Sequence, residues 1–358
     1  MVARLKDVAL RAGVSIKTAS NVVNEYEHVS ARTRQRVMAA IEELGYRPNL
    51  AARYLRKAPI GVIALEIPHL ALRYFTELAE YAVAIAAEHG FMLLLDYTGG
   101  KHAGETLLTR GLRPTLIDGA ILNPLSLRAE ELDPRRAAIP IVLIGERAYE
   151  GLYDHILIDN VAAARDATRH LLAGGRHRIA AIGIGGGPRF GHTVRLRYAG
   201  FAQAIAEAGL PLDRRRIVTC ETYGRRDGYE GVRRLIGRGG PPPDAIFCFN
   251  DEIALGAIRA LHEADLAVPD DVAVVGIDGI EEGRFSLPLL SSISPDKERI
   301  ARLAVGFLVE RIRGTRTGPP ERVEVPYELV VRESTMGGAG SGQRRGDAPG
   351  QGPGAGGE

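Results

Sequence analysis

Apolar positions recur at helical spacing close to the N-terminus. Leu5, Val8 and Ala9 fall at i, i+3 and i+4, Ala19, Val22 and Val23 repeat the pattern, and Val37, Ala40, Ile41 and Leu44 give it a third time. Three short helices are therefore predicted within residues 5–46. Gly13 permits a tight turn between the first two, Ser15 is placed to cap the second, Ser30 to cap the third and Gly45 to end it. In the second helix, burial of Ala19, Val22 and Val23 leaves Ile16, Lys17, Ser20, Asn21 and Asn24 facing outward, with Lys17 and Asn21 on one face. A further short segment, Asn49–Lys57, opens after Pro48 and is broken by Pro59.

From Ile60 the period changes. Apolar runs of strand length at 60–67, 91–97, 119–122, 141–144, 178–184, 216–220, 245–249 and 272–277 alternate with helical patterns. Strands apolar on both faces and separated by helices predict parallel sheets covered by helices. These runs fit two sheets in two lobes better than one, with a small ligand at the strand ends that face the cleft. The fold class predicted is an all-α helix-turn-helix head followed by an α/β two-lobed domain. Residues 337–358 are rich in Gly and Pro and nearly free of apolar side chains, and are expected to be disordered.

Charge adds a direction. Residues 1–57 hold eleven lysines and arginines and five acids, out of 46 and 44 in the whole chain, so the head carries +6 and the remainder −4. A small basic unit on a mildly acidic body is expected where one part meets a polyanion. The two cysteines, Cys220 and Cys248, lie far apart in sequence, which excludes a disulfide framework or a CxxC metal site. No run is long enough to span a membrane and no signal peptide is expected, which predicts a cytoplasmic, nucleoid-associated protein without membrane contact. GIGGGPRFG at 183–191 lacks both the phosphate-loop lysine and the dinucleotide spacing, and no nucleophile elbow or HExxH appears. Neither an enzyme, a cofactor nor a metal is expected.

The order LKDVALRAGVSIKTASNVVN at 5–24, continued by VSARTRQRVMAAIEELGYRPNLAARYLR at 29–56, resembles the head of the LacI/GalR family of bacterial repressors. The resemblance runs on through IPIVLIGE at 139–146, ILIDN at 156–160, RLRYAGF at 195–201, FCFNDEIALGAIRAL at 247–261 and VAVVGIDG at 272–279, which look like a periplasmic-binding-protein-like sensor. It implies a DNA-binding head at 1–47, a hinge helix and linker at 48–58, and a two-lobed effector-binding and dimerisation domain at 59–336. It further implies that Ile16, Lys17 and Asn21 read base edges while Ser15, Thr18, Ser20 and Asn24 meet phosphates. The chemistry agrees: Lys17 can donate to guanine, Asn21 can pair with adenine, and Ile16 suits a thymine methyl. Ala52, Arg53 and Leu55 would work in the minor groove, with Leu55 as an apolar wedge.

In the body the resemblance assigns effector contact to Tyr74, Phe75, Asn123, Glu146, Thr193, Arg197, Tyr223, Asn250 and Asp278, with His192 beside Thr193. Asn250 and Asp278 could equally cap the helices that follow them, and Tyr223 and Phe75 could be core. One position departs from the family. Many relatives carry an acidic residue after VLI, where this chain has Gly145 followed by Glu146. The expected partners are double-stranded DNA with a pseudo-palindromic operator, a small-molecule effector, and a second copy in a homodimer. The absence of a C-terminal leucine heptad argues against a tetramer. Carboxylate, amide and guanidinium groups beside aromatic rings favour a carbohydrate, with a nucleoside or purine as the alternative. A solute-binding protein for transport is the rival reading from another class.

Overall fold

The computed structural model describes residues 3–23, 26, 28–46, 60–110, 116–146, 149, 151–185 and 191–336. The chain divides into two compact units at Ile60/Gly61. In the first, α1 (Leu5–Ala12), α2 (Ile16–Val23) and α3 (Ala31–Leu44) form the three expected helices. Val8, Ala9, Ala12, Ala19, Val22, Val37 and Ala40 make its core, and Val23 is half-buried rather than buried. Gly13 stands at φ +62°, a conformation open to glycine, and closes α1. Ser15 Oγ accepts the Thr18 N–H at 3.0 Å, and Ser30 Oγ accepts that of Thr33 at 3.3 Å, so both serines cap their helices. Asn24, the segment 49–57 with Ala52, Arg53 and Leu55, and the tail at 337–358 lie outside the described residues.

The second unit carries two six-stranded sheets. The first, in the order β11-β5-β4-β3-β1-β2, is parallel throughout. Its strands are β1 (Val62–Ile67), β2 (Met92–Tyr97), β3 (Gly119–Leu122), β4 (Ile141–Ile144), β5 (Asp154–Leu157) and β11 (Arg322–Glu324). The second sheet, in the order β12-β10-β9-β8-β6-β7, is parallel except for β12 against β10. It contains β6 (Ile179–Ile184), β7 (Ile217–Thr219), β8 (Ala245–Cys248), β9 (Ala273–Ile277), β10 (Ser291–Pro295) and β12 (Tyr327–Val330). Helices α4 (Arg73–Glu88) and α5 (His102–Arg110) belong to the first lobe. Helices α6 (Asn160–Ala173), α7 (Gly191–Glu207), α8 (Arg225–Gly237) and α9 (Asp251–Glu263) belong to the second. The chain crosses between lobes after β5, again where β10 passes into α10 (Lys297–Arg313), which packs on the first lobe, and finally between β11 and β12.

Four strands escaped the sequence reading: β5, β10, β11 and β12. They are short, and SSISP, DHIL and RVE lack the unbroken apolar run that marks a buried strand. Strand β2 also departs from the expectation of two buried faces. It is the edge of its sheet, and Met92, Leu94, Leu95 and Tyr97 are exposed. Each lobe keeps its own core, with Phe201, Phe247 and Phe249 packed ring to ring in the second.

Candidate functional site

On the head, helix α2 turns its buried face inward and exposes Ile16 and Lys17, with Thr18, Ser20 and Asn21 half-exposed beside them. The turn that aims this helix is clamped from α3. Arg36 donates to the carbonyls of Ala12 and, at 3.0 Å, of Gly13. Arg11 and Glu43 pair at 2.7 Å and fasten α1 to α3. The Ser15 hydroxyl, expected at a phosphate, already serves as the cap of α2 and lies 2.8 Å from that of Thr18.

In the second unit, Tyr74, Phe75, Asn123, Glu146, Thr193, Arg197, Tyr223, Asn250 and Asp278 all line one cavity between the lobes. They arrive from far apart in the chain because the strands ending at the cleft deliver them. Asn123 follows β3, Glu146 follows β4, Asn250 follows β8 and Asp278 follows β9, as expected for a ligand site at carboxyl ends of parallel strands. His192 is absent from this lining and faces a separate depression with Tyr153 and Arg322. The remaining wall is largely apolar, including Leu72, Leu125, Ile156, Val194 and Phe249.

Arg197 ties the cleft together. Its Nε donates to Asn160 Oδ1 at 2.6 Å, one terminal nitrogen bonds the Phe249 carbonyl, and the other lies 3.5 Å from Asp278 Oδ1. Burial pushes the Asp278 carboxyl up to about 7, against the opposing pull of Arg197. Glu146 reaches across the lobes to the Thr193 hydroxyl at 2.8 Å. Behind Glu146, the His155 ring meets the Gly145 carbonyl at 2.6 Å, and burial holds that imidazole below its ordinary value.

Asn250, Asp278 and Tyr223, for which the sequence leaves alternatives open, all face the cavity. Asn250 is a helix cap that also faces the cavity: its Oδ1 accepts the Ile253 N–H at 2.8 Å and its Nδ2 donates to the Tyr223 carbonyl at 2.9 Å. Among the described residues, the Asp278 carboxylate caps no helix and meets Arg197 instead. The N–H of Ile280 goes instead to Asp251, a buried carboxylate that also accepts from Ser292. Tyr223 is a core residue with one face on the cavity. It is 6% exposed, sits at φ +62°, and donates its hydroxyl to the Gly183 carbonyl at 2.5 Å.

Sequence reading missed Asn160 and Lys297. ILIDN carries the family resemblance but gives Asn160 no role. Lys297 stands in KERIARLA, which reads as an ordinary exposed first turn of a helix.

Comparison with known proteins follows the same division of the chain. Residues 4–49 match the model of bacterial regulatory proteins of the lacI family, and residues 168–335 match a periplasmic binding protein-like domain. The ribose operon repressor of Halalkalibacterium halodurans is 32% identical over 94% of this chain and 98% of its own. Among solved structures, a lac repressor dimer bound to operator and the anti-inducer ONPF is 27% identical, with 94% of this chain and 100% of that one covered and a TM-score of 0.78. The transcriptional regulator CelR in complex with cellobiose is 29% identical, covers 93% of this chain and 99% of its own, and has a TM-score of 0.67.

Proposed function

Because the chain belongs to the lacI family of bacterial regulatory proteins, we propose that its cleft takes a neutral carbohydrate and that occupancy of the cleft sets the affinity of its head for operator DNA. The chain is a transcriptional regulator rather than an enzyme, and as a DNA-reading regulator it works in the cytosol. Its place on the nucleoid follows from binding to a duplex operator.

The observation that carries the effector class is the committed state of Arg197. Among the described residues lining the cleft, it is the only cation, and Asn160, Phe249 and Asp278 already engage its nitrogens. An anionic ligand would meet the carboxyl groups of Glu146 and Asp278 without a free positive partner. A neutral polyol suits the site, because carboxylates and the Asn123 amide accept and donate to hydroxyls while Tyr74 and Phe75 cover an apolar ring face. A member of that class, cellobiose, is bound by the related regulator CelR in its solved complex.

On the DNA side, Lys17, Ile16 and Asn21 are the base readers, with Ser15, Thr18, Ser20 and Asn24 at phosphates. Ala52, Arg53 and Leu55 of the segment before the sensing body engage the minor groove. Two heads on a pseudo-palindrome require two copies. The N-lobe edge with Met92, Leu94, Leu95 and Tyr97 exposed is the face on which they pair, since an apolar edge strand is otherwise a liability in water.

The test is calorimetric titration of the full chain with D-ribose, cellobiose and a panel of neutral mono- and disaccharides, sugar phosphates, nucleosides and purines. Each binder is then added to an operator-binding assay. A neutral sugar that binds and changes operator affinity supports the reading. Binding confined to sugar phosphates, nucleosides or purines overturns the effector class, and a bound sugar that leaves operator affinity unchanged overturns the coupling.

A further inference from the structure

Lys297 opens α10, at the point where the chain returns from the second lobe to the first. The residue is 8% exposed, and its ammonium meets three acceptors: the carbonyls of Asp278 at 2.6 Å and Gly279 at 2.9 Å, and Glu77 Oε2 at 2.9 Å. The two carbonyls belong to the turn after β9 in the second lobe, whereas Glu77 lies on α4 of the first. The other oxygen of Glu77 accepts the Glu281 N–H at 2.8 Å, so the same carboxylate grips that turn twice, once directly and once through the lysine. Arg73, one helical turn earlier on α4, continues the seam at 3.5 Å from Glu281 and 3.7 Å from Glu282.

The turn needs holding. Asp278 adopts φ +123°, in a region that residues with a side chain seldom occupy, and Gly279 follows at φ +59°. Such backbone persists only where its surroundings impose it. Lys297 supplies that constraint by drawing both carbonyls onto one nitrogen, which leaves the Asp278 carboxyl facing Arg197 and the cleft.

We infer that Lys297 is a positioning residue that fixes Asp278 in its cleft-facing conformation and, through Glu77, couples the state of that turn to α4. The inference rests on the reading of the cleft as the effector site, which gives the turn its importance. Helix α4 packs on α10 and on the first sheet, and Tyr81 and Val83 are exposed on it. A shift of the turn therefore reaches the lobe proposed to meet the second copy. Lys297 and Glu77 share one ion pair: without the lysine, the two carbonyls lose their side-chain donor and Glu77 Oε2 loses its partner, while Oε1 keeps the Glu281 N–H and Arg73 at 3.4 Å.

The test needs no effector. An operator is first recovered by selection from random duplex DNA with the wild-type full chain. Its affinity is then measured without added sugar for Lys297→Met, Glu77→Gln, the double variant and Lys297→Arg. Amide exchange at Gly279, Ile280 and Glu281 is followed in parallel. Lys297→Met and Glu77→Gln are each expected to change operator affinity in the same direction, by on the order of tenfold. The double variant should change it no more than the larger single substitution, because both remove one shared interaction. Lys297→Arg, which keeps donors in place, should restore most of it. Should Lys297→Met fail to fold, Glu77→Gln carries the same comparison with size and an acceptor preserved. Operator affinity within twofold of wild type, alongside faster exchange at Glu281, would leave Lys297 a purely structural residue and overturn the inference. Additive effects of the two substitutions would do the same. Failure of every sugar to bind would overturn the carbohydrate reading alone, since none is used here.

Discussion

The carboxamide oxygen of Asn123 lies 2.5 Å from the point where a β-carbon on Gly145 would stand. Asn123 thus fills the space that a side chain after β4 would take, and Gly145 itself sits at φ +91°. The departure from the family pattern at this position has a partner: the polar group facing the cavity comes from β3, and the acid moves one residue on, to Glu146. Gly145→Ala combines backbone strain with a steric clash, and should destabilise the sensing body by about 1–3 kcal/mol. Differential scanning calorimetry should show the loss as a Tm drop of roughly 2–4 °C per kcal/mol. Adding Asn123→Ala should recover part of it, because the clash goes and the strain stays. Full recovery would show that φ at 145 carries no strain.

Strand ends were the legible part of the site. Asn123, Glu146, Asn250 and Asp278 each follow an apolar run, and parallel strands place such residues at one rim. The helix-turn-helix was equally legible, since its caps and turn glycine are local in sequence. Glu77, Asn160 and Lys297 were not. Glu77 lies 220 residues before Lys297, and no periodicity links one helix of the first lobe to the first turn of another that joins it only after the chain has built the second. Strands β10 to β12 escaped for a related reason: they are specified by their neighbours in the sheet rather than by their own apolar pattern.

The N-lobe holds a second determinant of the Asn123 loop. Glu66 is 1% exposed and takes hydrogen bonds from Thr98 Oγ1 at 3.1 Å and from the Asn123 backbone. Glu105, wholly buried, accepts from the backbone of Leu125, Ser126 and Leu127. Burial, reinforced by Glu105, pushes the Glu66 carboxyl up to about 8. Folding therefore takes up a proton between the unfolded value of 4.5 and about 8. The stabilisation is complete below that window and fades as pH rises through it, by at most about 1.4 kcal/mol per pH unit for this group. Asp251 at about 6 and Asp278 at about 7 act in the same direction over narrower ranges. Denaturation followed from pH 5 to pH 9 should show stability falling, and Glu66→Gln should flatten the upper part of the curve. An unchanged slope in the variant would assign the dependence elsewhere.

Two substitutions in the head separate reading from folding. Lys17 is exposed, with no hydrogen bond or ion pair to another described residue, so Lys17→Ala should leave the melting of the head unchanged. It should reduce discrimination between the selected operator and a site altered at one base pair by about 1–3 kcal/mol. Arg36 holds the carbonyls of Ala12 and Gly13. Arg36→Met leaves both without that donor and should destabilise the head by about 1–3 kcal/mol, weakening binding to all sequences alike. A base-specific loss from Arg36→Met, or a uniform one from Lys17→Ala, would reverse the two roles.

Strand β2 supplies the last prediction. Met92 is 69% exposed and Tyr97 58%, with Leu94 and Leu95 between them, on a strand whose outer hydrogen-bonding edge pairs with no other strand among the described residues. Neither the apolar surface nor the free edge suits contact with water, and a second copy related by a two-fold axis would cover both. Leu94→Glu places a charge in that face without touching the core of the lobe. It should convert the dimer to monomer in sedimentation equilibrium at micromolar concentration, while circular dichroism and carbohydrate binding stay as in the wild-type protein. Operator affinity should collapse with the dimer, because each half-site alone offers one recognition helix. A dimer that survives Leu94→Glu unchanged would move the pairing face away from this edge, to be sought next at the exposed Phe285 and Leu287 of the second lobe.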